Sequence, residues 1–185
     1  MRARSCTRRY TCGMSISHIT RLGAALAAVP EAFRPSVAML VQELAPALDG
    51  LPAGDWMDVL PRVFTGSEFV AHACVSRTDL LPDLVRSGDL LRLYGADEMR
   101  AHVLAAVAHC TDEAELKAAL RVLRQREMVR LAWRDLAGWA NLEEVVRTLS
   151  ALADACLDAA LAKLYAWAVA RDGVPREQGT DKAAR

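Results

Sequence analysis

The chain has 185 residues, of which 53% are hydrophobic, and its 23 basic and 23 acidic residues cancel at pH 7. A chain of this length and composition can bury a substantial core as one domain, with or without tails. Because the net charge is zero, no global field draws the protein to nucleic acid or to an anionic membrane. No apolar run reaches the length of a membrane span, and no cleavage site follows the basic start, so we expect a cytoplasmic protein.

The cysteines and histidines do not form a recognisable metal-binding pattern. The five cysteines are irregularly spaced and include no CxxC pair, so neither a zinc ribbon nor a disulfide framework is indicated. Cys74, Cys110 and Cys156 fall within helical patterns and are interpreted as small core residues. His72 with Cys74, and His109 with Cys110, would need two separate helices to converge on one ion. We therefore predict no metal site, no cofactor site and no catalytic residue in this chain.

Apolar residues recur at helical spacing along the chain, and aromatic and β-branched residues are few, so the predicted fold class is all-α. Proline and glycine set several boundaries: Pro30 and Pro61 are expected to end helices, and Gly88 to end another. Residues 89–94 are expected to add a helical turn or two. The predicted helices span, in chain order, residues 15–29, 35–48, 55–60, 67–77, 80–86, 96–110, 112–137 and 142–172.

The last two predicted helices are the longest. A short connector bracketed by Gly138 and Asn141 separates them, so we expect an irregular helical bundle that ends in a long antiparallel helix pair. Asn141 and Glu144 form a variant of the capping box at the start of the last helix. Its apolar positions alternate steps of three and four over about thirty residues, which corresponds to about 45 Å of helix.

The predicted domain organisation has three parts. Residues 1–14 are expected to be a basic disordered extension, residues 15–175 a helical domain, and residues 176–185 a disordered tail. Met14 could be the true start of the protein, in which case the residues before it are an unstructured extension.

The helix predicted over residues 112–137 has apolar residues on two sides, which indicates that it packs on two sides. One face carries four leucines interrupted by Glu127 and Arg134, with Arg130 beside them. We interpret Glu127 as the local partner of Arg130, and expect Arg134 to reach either Asp135 or a carboxylate on a neighbouring helix. The second face consists of Val122, Val129, Trp133 and Leu136.

Two other interpretations of these charges stay open. Arg126, Arg130 and Arg134 are four residues apart and could present guanidinium groups to a phosphate or to an acidic partner. Alternatively, the helix could form an interface with a domain that lies outside this chain. The candidate inter-domain or partner contacts are therefore Arg126, Glu127, Arg130 and Arg134.

The same helix and its neighbours carry a family resemblance. The stretches concerned are Arg62–Cys74 with Leu80–Arg92, Asp112–Gly138, and Asn141–Leu161 with Gly173–Pro175. They resemble the N-terminal helical part of the bifunctional glutamine synthetase adenylyltransferase/adenylyl-removing enzymes. The resemblance covers roughly residues 31–175, and the run from Glu127 to Leu136 is its most specific part.

In that family the helical segment leads into a nucleotidyltransferase domain with a G-x-G-K-L-G stretch and an acidic D-I-D pair, which hold ATP and magnesium. This chain is expected to depart from the family at Arg176, before either motif, so no complete active site is expected. Gly66-Ser67 is interpreted as a helix cap rather than a nucleotide site. The pairs Asp55/Asp58 and Asp154/Asp158 have helical spacing and are interpreted as solvated charges rather than metal ligands.

The resemblance implies a context in nitrogen regulation. Glutamine synthetase and the PII signalling protein would be partners of the full-length enzyme, and magnesium and ATP its cofactors. We expect this chain to be a truncated N-terminal helical segment that packs on a catalytic domain it does not include. The alternative is a stand-alone helical protein-interaction module without catalysis.

Overall fold

The structure, a computed structural model, describes residues 16–95 and 97–175, with side chains from His18 onward. These residues contain eight α-helices and no strand, which confirms the all-α fold class. None of the described helices is both long and apolar enough to cross a bilayer. The helices are α1 (Ile16–Ala27), α2 (Arg34–Leu48), α3 (Trp56–Gly66), α4 (Glu68–Ser76), α5 (Leu80–Arg86), α6 (Glu98–Val107), α7 (Glu113–Leu136) and α8 (Leu142–Asp172).

Some predictions concern residues outside the described part of the chain, and others are not tested by the structure. The basic extension over residues 1–14, the start at Met14 and the tail over residues 176–185 lie outside the described residues. Both long helices are present, and their antiparallel packing stays a prediction. The predicted domain boundaries likewise stay predictions.

Two predicted boundaries are wrong. The third helix was expected to stop before Pro61, but α3 continues through it to Gly66. A proline in a helix interior loses a hydrogen bond and costs about 3 kcal/mol. Here Pro61 is buried, which offsets part of that cost, and its carbonyl oxygen accepts a hydrogen bond from Thr65 Oγ1 at 2.7 Å. Residues 89–94 form turn and irregular structure instead of additional helix, because Gly88 adopts a φ of 77° and redirects the chain.

Side-chain caps begin three helices where the sequence places them. The Ser67 hydroxyl accepts from a backbone N–H three residues later, at 3.2 Å, which confirms Gly66-Ser67 as a helix cap. Asp112 caps α7 and Asn141 caps α8. The side-chain oxygen of each accepts a hydrogen bond from the backbone N–H three residues later, at 2.8 and 2.9 Å. Each cap satisfies a backbone donor that has no partner within the helix.

Packing divides the chain into two compact units. Among the described residues, the first unit consists of residues 16–93 and Gln125–Val145, and the second of residues 94–95, 97–124 and 146–175. The boundary crosses α7, whose first half belongs to the second unit and whose second half belongs to the first. It also crosses the first turn of α8, between Val145 and Val146.

The core of the first unit combines side chains of α1 to α5 with the second half of α7. Trp133 is fully buried, and its ring meets the edge of Phe64 with centroids 6.2 Å apart. Val129 is buried beside it, so the second apolar face predicted for α7 is confirmed at these two positions. It is wrong at Val122, which is half exposed and lies in the other unit.

The second unit has a smaller core built from α6, the first half of α7 and α8. Its buried apolar residues are Tyr94, Met99, Val103, Val107, Leu116, Leu123, Leu152, Ala155 and Ala159. Lys163 of α8 donates to the carbonyl oxygens of Ala108 and Cys110 at 3.0 and 3.2 Å, and so caps the end of α6. Arg100 of α6 pairs with Asp158 of α8 at 3.0 Å.

A buried arginine network as the candidate functional site

The centre of the first unit holds an ion pair that the interior shields from water. Arg130 Nε donates to Glu127 Oε2 at 2.8 Å, and both residues are only 1% exposed. They are three residues apart on α7, so one turn of helix brings the two side chains together. This confirms the interpretation of Glu127 as the local partner of Arg130. A buried ion pair needs further hydrogen bonds to offset its desolvation, and Arg130 Nη1 supplies one to the Arg92 carbonyl oxygen at 3.1 Å.

Arg126 lies one turn before Arg130 and joins three acidic residues. Its Nη1 donates to Glu127 Oε1 at 2.7 Å, so the two oxygens of Glu127 serve two arginines. Its Nε donates to Asp83 of α5, and its Nη2 to Asp89, each at 2.7 Å. Nη2 also lies 3.3 Å from the hydroxyl of Ser87. The planar guanidinium suits this role because its donors point in fixed, divergent directions.

Arg134 makes the corresponding link to the start of α8. Its Nε donates to Glu144 Oε1 at 2.8 Å, which confirms a carboxylate on a neighbouring helix and not Asp135 as its partner. Its Nη1 donates to the Leu90 carbonyl oxygen at 3.3 Å, and its Nη2 to that of Trp139 at 3.4 Å. The side chain is 4% exposed, and these carboxylate and carbonyl oxygens replace the water that its guanidinium loses on burial.

The loop after α5, residues 87–92, receives a contact from each of these three arginines. Arg126 reaches Asp89, Arg134 reaches the Leu90 carbonyl, and Arg130 reaches the Arg92 carbonyl. Arg92 turns back to donate to Asp89 at 3.0 Å. We call this set the arginine network. Its members are Asp83, Asp89, Arg92, Arg126, Glu127, Arg130, Arg134 and Glu144.

Charge in the arginine network is balanced, with four arginines and four carboxylates. The electrostatics are clearest at Asp89. Burial by itself would raise the pKa of Asp89, but hydrogen bonds from Arg126 and Arg92 more than offset it and lower the pKa to about 2. The carboxyl is therefore ionised at neutral pH. Because each arginine already contacts an anion, this arrangement argues against the hypothesis that Arg126, Arg130 and Arg134 present themselves to a phosphate.

The arginine network is built from direct contacts between arginine side chains and carboxylates. Its carboxylates accept from arginines at 2.7–3.0 Å, so they do not fit a magnesium–ATP site, which needs carboxylate oxygens directed at the metal. Burial raises the pKa of the Cys74 thiol to about 12, which keeps it from acting as a thiolate nucleophile at neutral pH. Among the described residues, no group of three or more His, Cys, Asp or Glu side chains could hold a metal ion.

The acidic pairs singled out in the sequence lie on the surface. Asp55 and Asp58 are 81% and 50% exposed, and both contact Arg21. That contact lowers the pKa of Asp58, whose largest influence is the hydrogen bond from Arg21. Asp158 is exposed as well, and Asp154 lies on the same exposed side of α8. These positions match their interpretation as solvated charges.

The structure brings together Arg126, Glu127, Arg130 and Arg134 as the sequence led us to expect, and their role as inter-domain or partner contacts stays a prediction. Sequence reasoning missed three of their partners, which are Asp83, Asp89 and Arg92. These lie 37 to 43 residues earlier in the chain. The available signal was the turn Ser87-Gly88-Asp89, where a polar, glycine-containing segment interrupts two leucine-rich stretches.

Comparison with known proteins shows which family the chain is similar to. A family model described as glutamate-ammonia ligase adenylyltransferase matches residues 57–185. The bifunctional glutamine synthetase adenylyltransferase/adenylyl-removing enzyme of Thioalkalivibrio sulfidiphilus is 44% identical over 151 residues, or 80% of this chain and 16% of that protein. The protein of the same name from Nitrosococcus oceani is 44% identical over 128 residues, 69% of this chain and 13% of its own length.

A third relative of that name, from Pseudomonas aeruginosa, is 35% identical over 166 residues, which are 88% of this chain and 17% of the relative. The chain therefore spans about one sixth of the length of the curated relatives it matches. No solved structure matches the chain.

The family match also corrects the expected extent of the resemblance. It reaches residue 185, so the expected departure at Arg176 is wrong. The stretch from 176 to 185 is short and polar, and its sequence has no helical periodicity that would indicate the resemblance. The matched region includes every residue of the arginine network. By this match and by its curated relatives, the chain belongs to the glutamate-ammonia ligase adenylyltransferase family.

Proposed function

We propose that this chain is a non-catalytic helical portion of an enzyme that attaches adenylyl groups to glutamine synthetase and removes them. Family membership supports this activity for the whole enzyme, since relatives of 44% and 35% identity carry that name. The helices would hold the catalytic portion in position. Glutamine synthetase and the PII signalling protein would be partners of the whole enzyme, in the cytoplasm.

The observation that carries the scaffold role is the arginine network. It ties three separate parts of the chain to α7: the loop 87–92, α5 and the start of α8. A network that is buried, charge-balanced and hydrogen-bonded fixes the register of the elements it joins, which is the best supported use of buried charge. Catalysis requires that reacting groups be held to a fraction of an ångström, so a rigid support of this kind is useful to an enzyme.

ATP and magnesium would be bound elsewhere in the enzyme, because the carboxylates of the arginine network are directed at arginines. Nucleotidyl transfer needs metal ions held against phosphate groups, and that chemistry would be supplied by acidic residues of the catalytic portion. The alternative, a stand-alone interaction module, is not favoured, since family membership covers most of the chain.

The test uses the purified chain and a chimeric enzyme in which this chain replaces the matching segment of the Thioalkalivibrio sulfidiphilus relative. Release of adenylyl groups from adenylylated glutamine synthetase is measured for both. We expect release by the chimera and none by the chain alone. Activity of the chain alone would contradict the non-catalytic assignment, and an inactive chimera would contradict the scaffold role.

A further inference from the structure

Helix α8 has two opposite faces that are both apolar, and the second unit buries only one of them. The buried side consists of Thr148, Leu152, Ala155 and Ala159, which follow each other at steps of three or four. The last three belong to the smaller core. At 100° per residue, these positions occupy one side of the helix. This side packs α8 against the core of the second unit.

The opposite side carries a second apolar row, which we call the α8 stripe. It runs through Val146, Leu149, Ala153, Leu157, Leu161 and Leu164 at steps of three and four. Each of these residues is exposed, and Leu157 and Leu161 are 70% and 69% exposed. On the helical wheel the centre of the stripe lies about 150° from the centre of the buried row, with Leu149 at the edge of the stripe nearest that row, and the stripe extends for about 27 Å along the helix.

The α8 stripe differs from an isolated exposed apolar residue such as Met39. Met39 on α2 is 69% exposed but stands alone on its helix face, as single apolar residues on protein surfaces commonly do. A continuous apolar row at helical spacing marks an interaction surface instead. The row contains no charged residue, so its partner must bring apolar surface rather than an opposite charge.

We propose that the α8 stripe is the docking surface for the remaining part of the adenylyltransferase polypeptide, which covers it with an apolar surface of its own. This inference rests on the proposed function. The curated relatives are about six to eight times as long as the regions they share with this chain, so the enzyme offers ample further surface to cover the stripe. A row about 27 Å long matches the dimension of a small domain.

The residues beside the stripe favour a protein partner over a membrane surface. Helices that lie on anionic membranes carry lysine and arginine on their polar side. Here Asp154 and Asp158 are exposed beside the stripe, and Arg147 is the basic residue nearest to its start. This mixed and partly acidic flank does not attract an anionic lipid surface.

The experiment compares Leu157→Lys and Leu161→Lys with a matched control, Met39→Lys, which places the same charge at an equally exposed apolar residue. Each is introduced into the chain alone and into the chimeric enzyme described above. In the chain alone we expect melting temperatures within about 2 °C of the parent for all three, because the side chains already face water. In the chimera we expect the two stripe variants to lose at least tenfold in adenylyl release, while Met39→Lys keeps full activity.

Hydroxyl-radical footprinting on the unsubstituted proteins gives a second readout that does not depend on variants folding. Oxidation of Leu157 and Leu161 should fall at least fivefold from the chain alone to the chimera, and oxidation of Met39 should stay the same. An active chimera in which the stripe leucines stay oxidised, or tolerate lysine as Met39 does, overturns the inference and leaves the proposed function standing. An inactive chimera overturns the proposed function and the inference together.

Sedimentation of the chain alone tests whether a second copy of the chain covers the stripe instead. We expect a monomer at micromolar concentration, or self-association that Leu161→Lys does not alter. A dimer that Leu161→Lys dissociates would show that a second copy of the chain covers the stripe, and would overturn the assignment to the remaining polypeptide.

Discussion

Arg134 shows how much a single buried charge depends on its partners. Its guanidinium is almost fully buried and is held by Glu144 and by the carbonyl oxygens of Leu90 and Trp139. Replacing it with alanine removes the cation and leaves Glu144, which is 11% exposed, without this counter-charge. We expect Arg134→Ala to lower the free energy of unfolding by about 3–5 kcal/mol, as when one partner of a buried pair is removed.

Urea unfolding of the purified chain measures this change. The matched control is Arg171→Ala, since Arg171 is 78% exposed and pairs with its neighbour Asp172 on the surface. Surface pairs contribute little, so the control should unfold at the parent's urea concentration. An Arg134→Ala variant that also unfolds there would show that the arginine network does not stabilise the first unit.

Asp89 makes stability depend on pH in a defined window. Its pKa is about 2 in the folded chain, against an ordinary value of 3.8. Because the folded value is the lower one, this contribution is fully present above about pH 4 and is lost as the pH falls toward 2. This difference in pKa between the folded and unfolded chain corresponds to roughly 2 kcal/mol in the free energy of unfolding.

The measurement is the free energy of unfolding by urea between pH 7 and pH 2.5, for the parent and for Asp89→Asn. The variant cannot ionise at this position, so its stability should fall less steeply than the parent's below pH 4. It should also be less stable than the parent at pH 7, where the ionised carboxyl contacts Arg126 and Arg92. Parallel pH profiles would contradict the assignment of this window to Asp89.

At the scale of elements, α3 and α7 approach closely where α3 ends. A Cβ added to Gly66 would lie 3.0 Å from Leu136 Cδ2, closer than side chains normally pack. Gly66→Ala should therefore destabilise the chain by about 1–3 kcal/mol, the usual cost of overpacking. Thermal unfolding checks this.

Gly23 is the matched control, because it lies inside α1 and a Cβ there would have no heavy atom within 4 Å. Alanine is favoured over glycine in a helix interior, so Gly23→Ala should raise the stability by about 0.5–1 kcal/mol. If both substitutions shifted the melting temperature in the same direction, the close approach of α3 and α7 would not be a determinant of stability.

Elements and their contacts were predictable from the sequence to different degrees. The starts of α4, α7 and α8 follow from caps, which depend on residues three positions apart, and the pairing of Glu127 with Arg130 is equally local. The contacts of Arg126 with Asp83 and Asp89 span 43 and 37 residues, and no local pattern encodes them. Periodicity also could not tell which of the two apolar sides of α8 is buried, because both sides have the same spacing. The size of the side chains points to the wrong side, since the buried side carries mostly small residues and the exposed stripe carries four leucines.

At the scale of the whole chain, the two compact units have separate cores, and the boundary between them runs through α7. Val129 of the first core and Val103 of the second are both fully buried, so the same substitution at each position allows the two cores to be compared. Val→Ala leaves a cavity and should cost about 2 kcal/mol at either position. If each unit opens as its own cooperative region, each substitution should speed amide exchange mainly in its own unit.

Hydrogen exchange followed by mass spectrometry distinguishes two units that open independently from one domain that unfolds as a whole. Val129→Ala should raise exchange in α2 to α5 and leave α6 within about twofold of the parent, because the core it weakens contains no residue of α6. Val103→Ala should do the reverse, with faster exchange in α6 and in the part of α8 that lines the second core. Equal acceleration throughout the described helices, from either substitution, would show that residues 16–175 unfold as one cooperative domain despite their two cores.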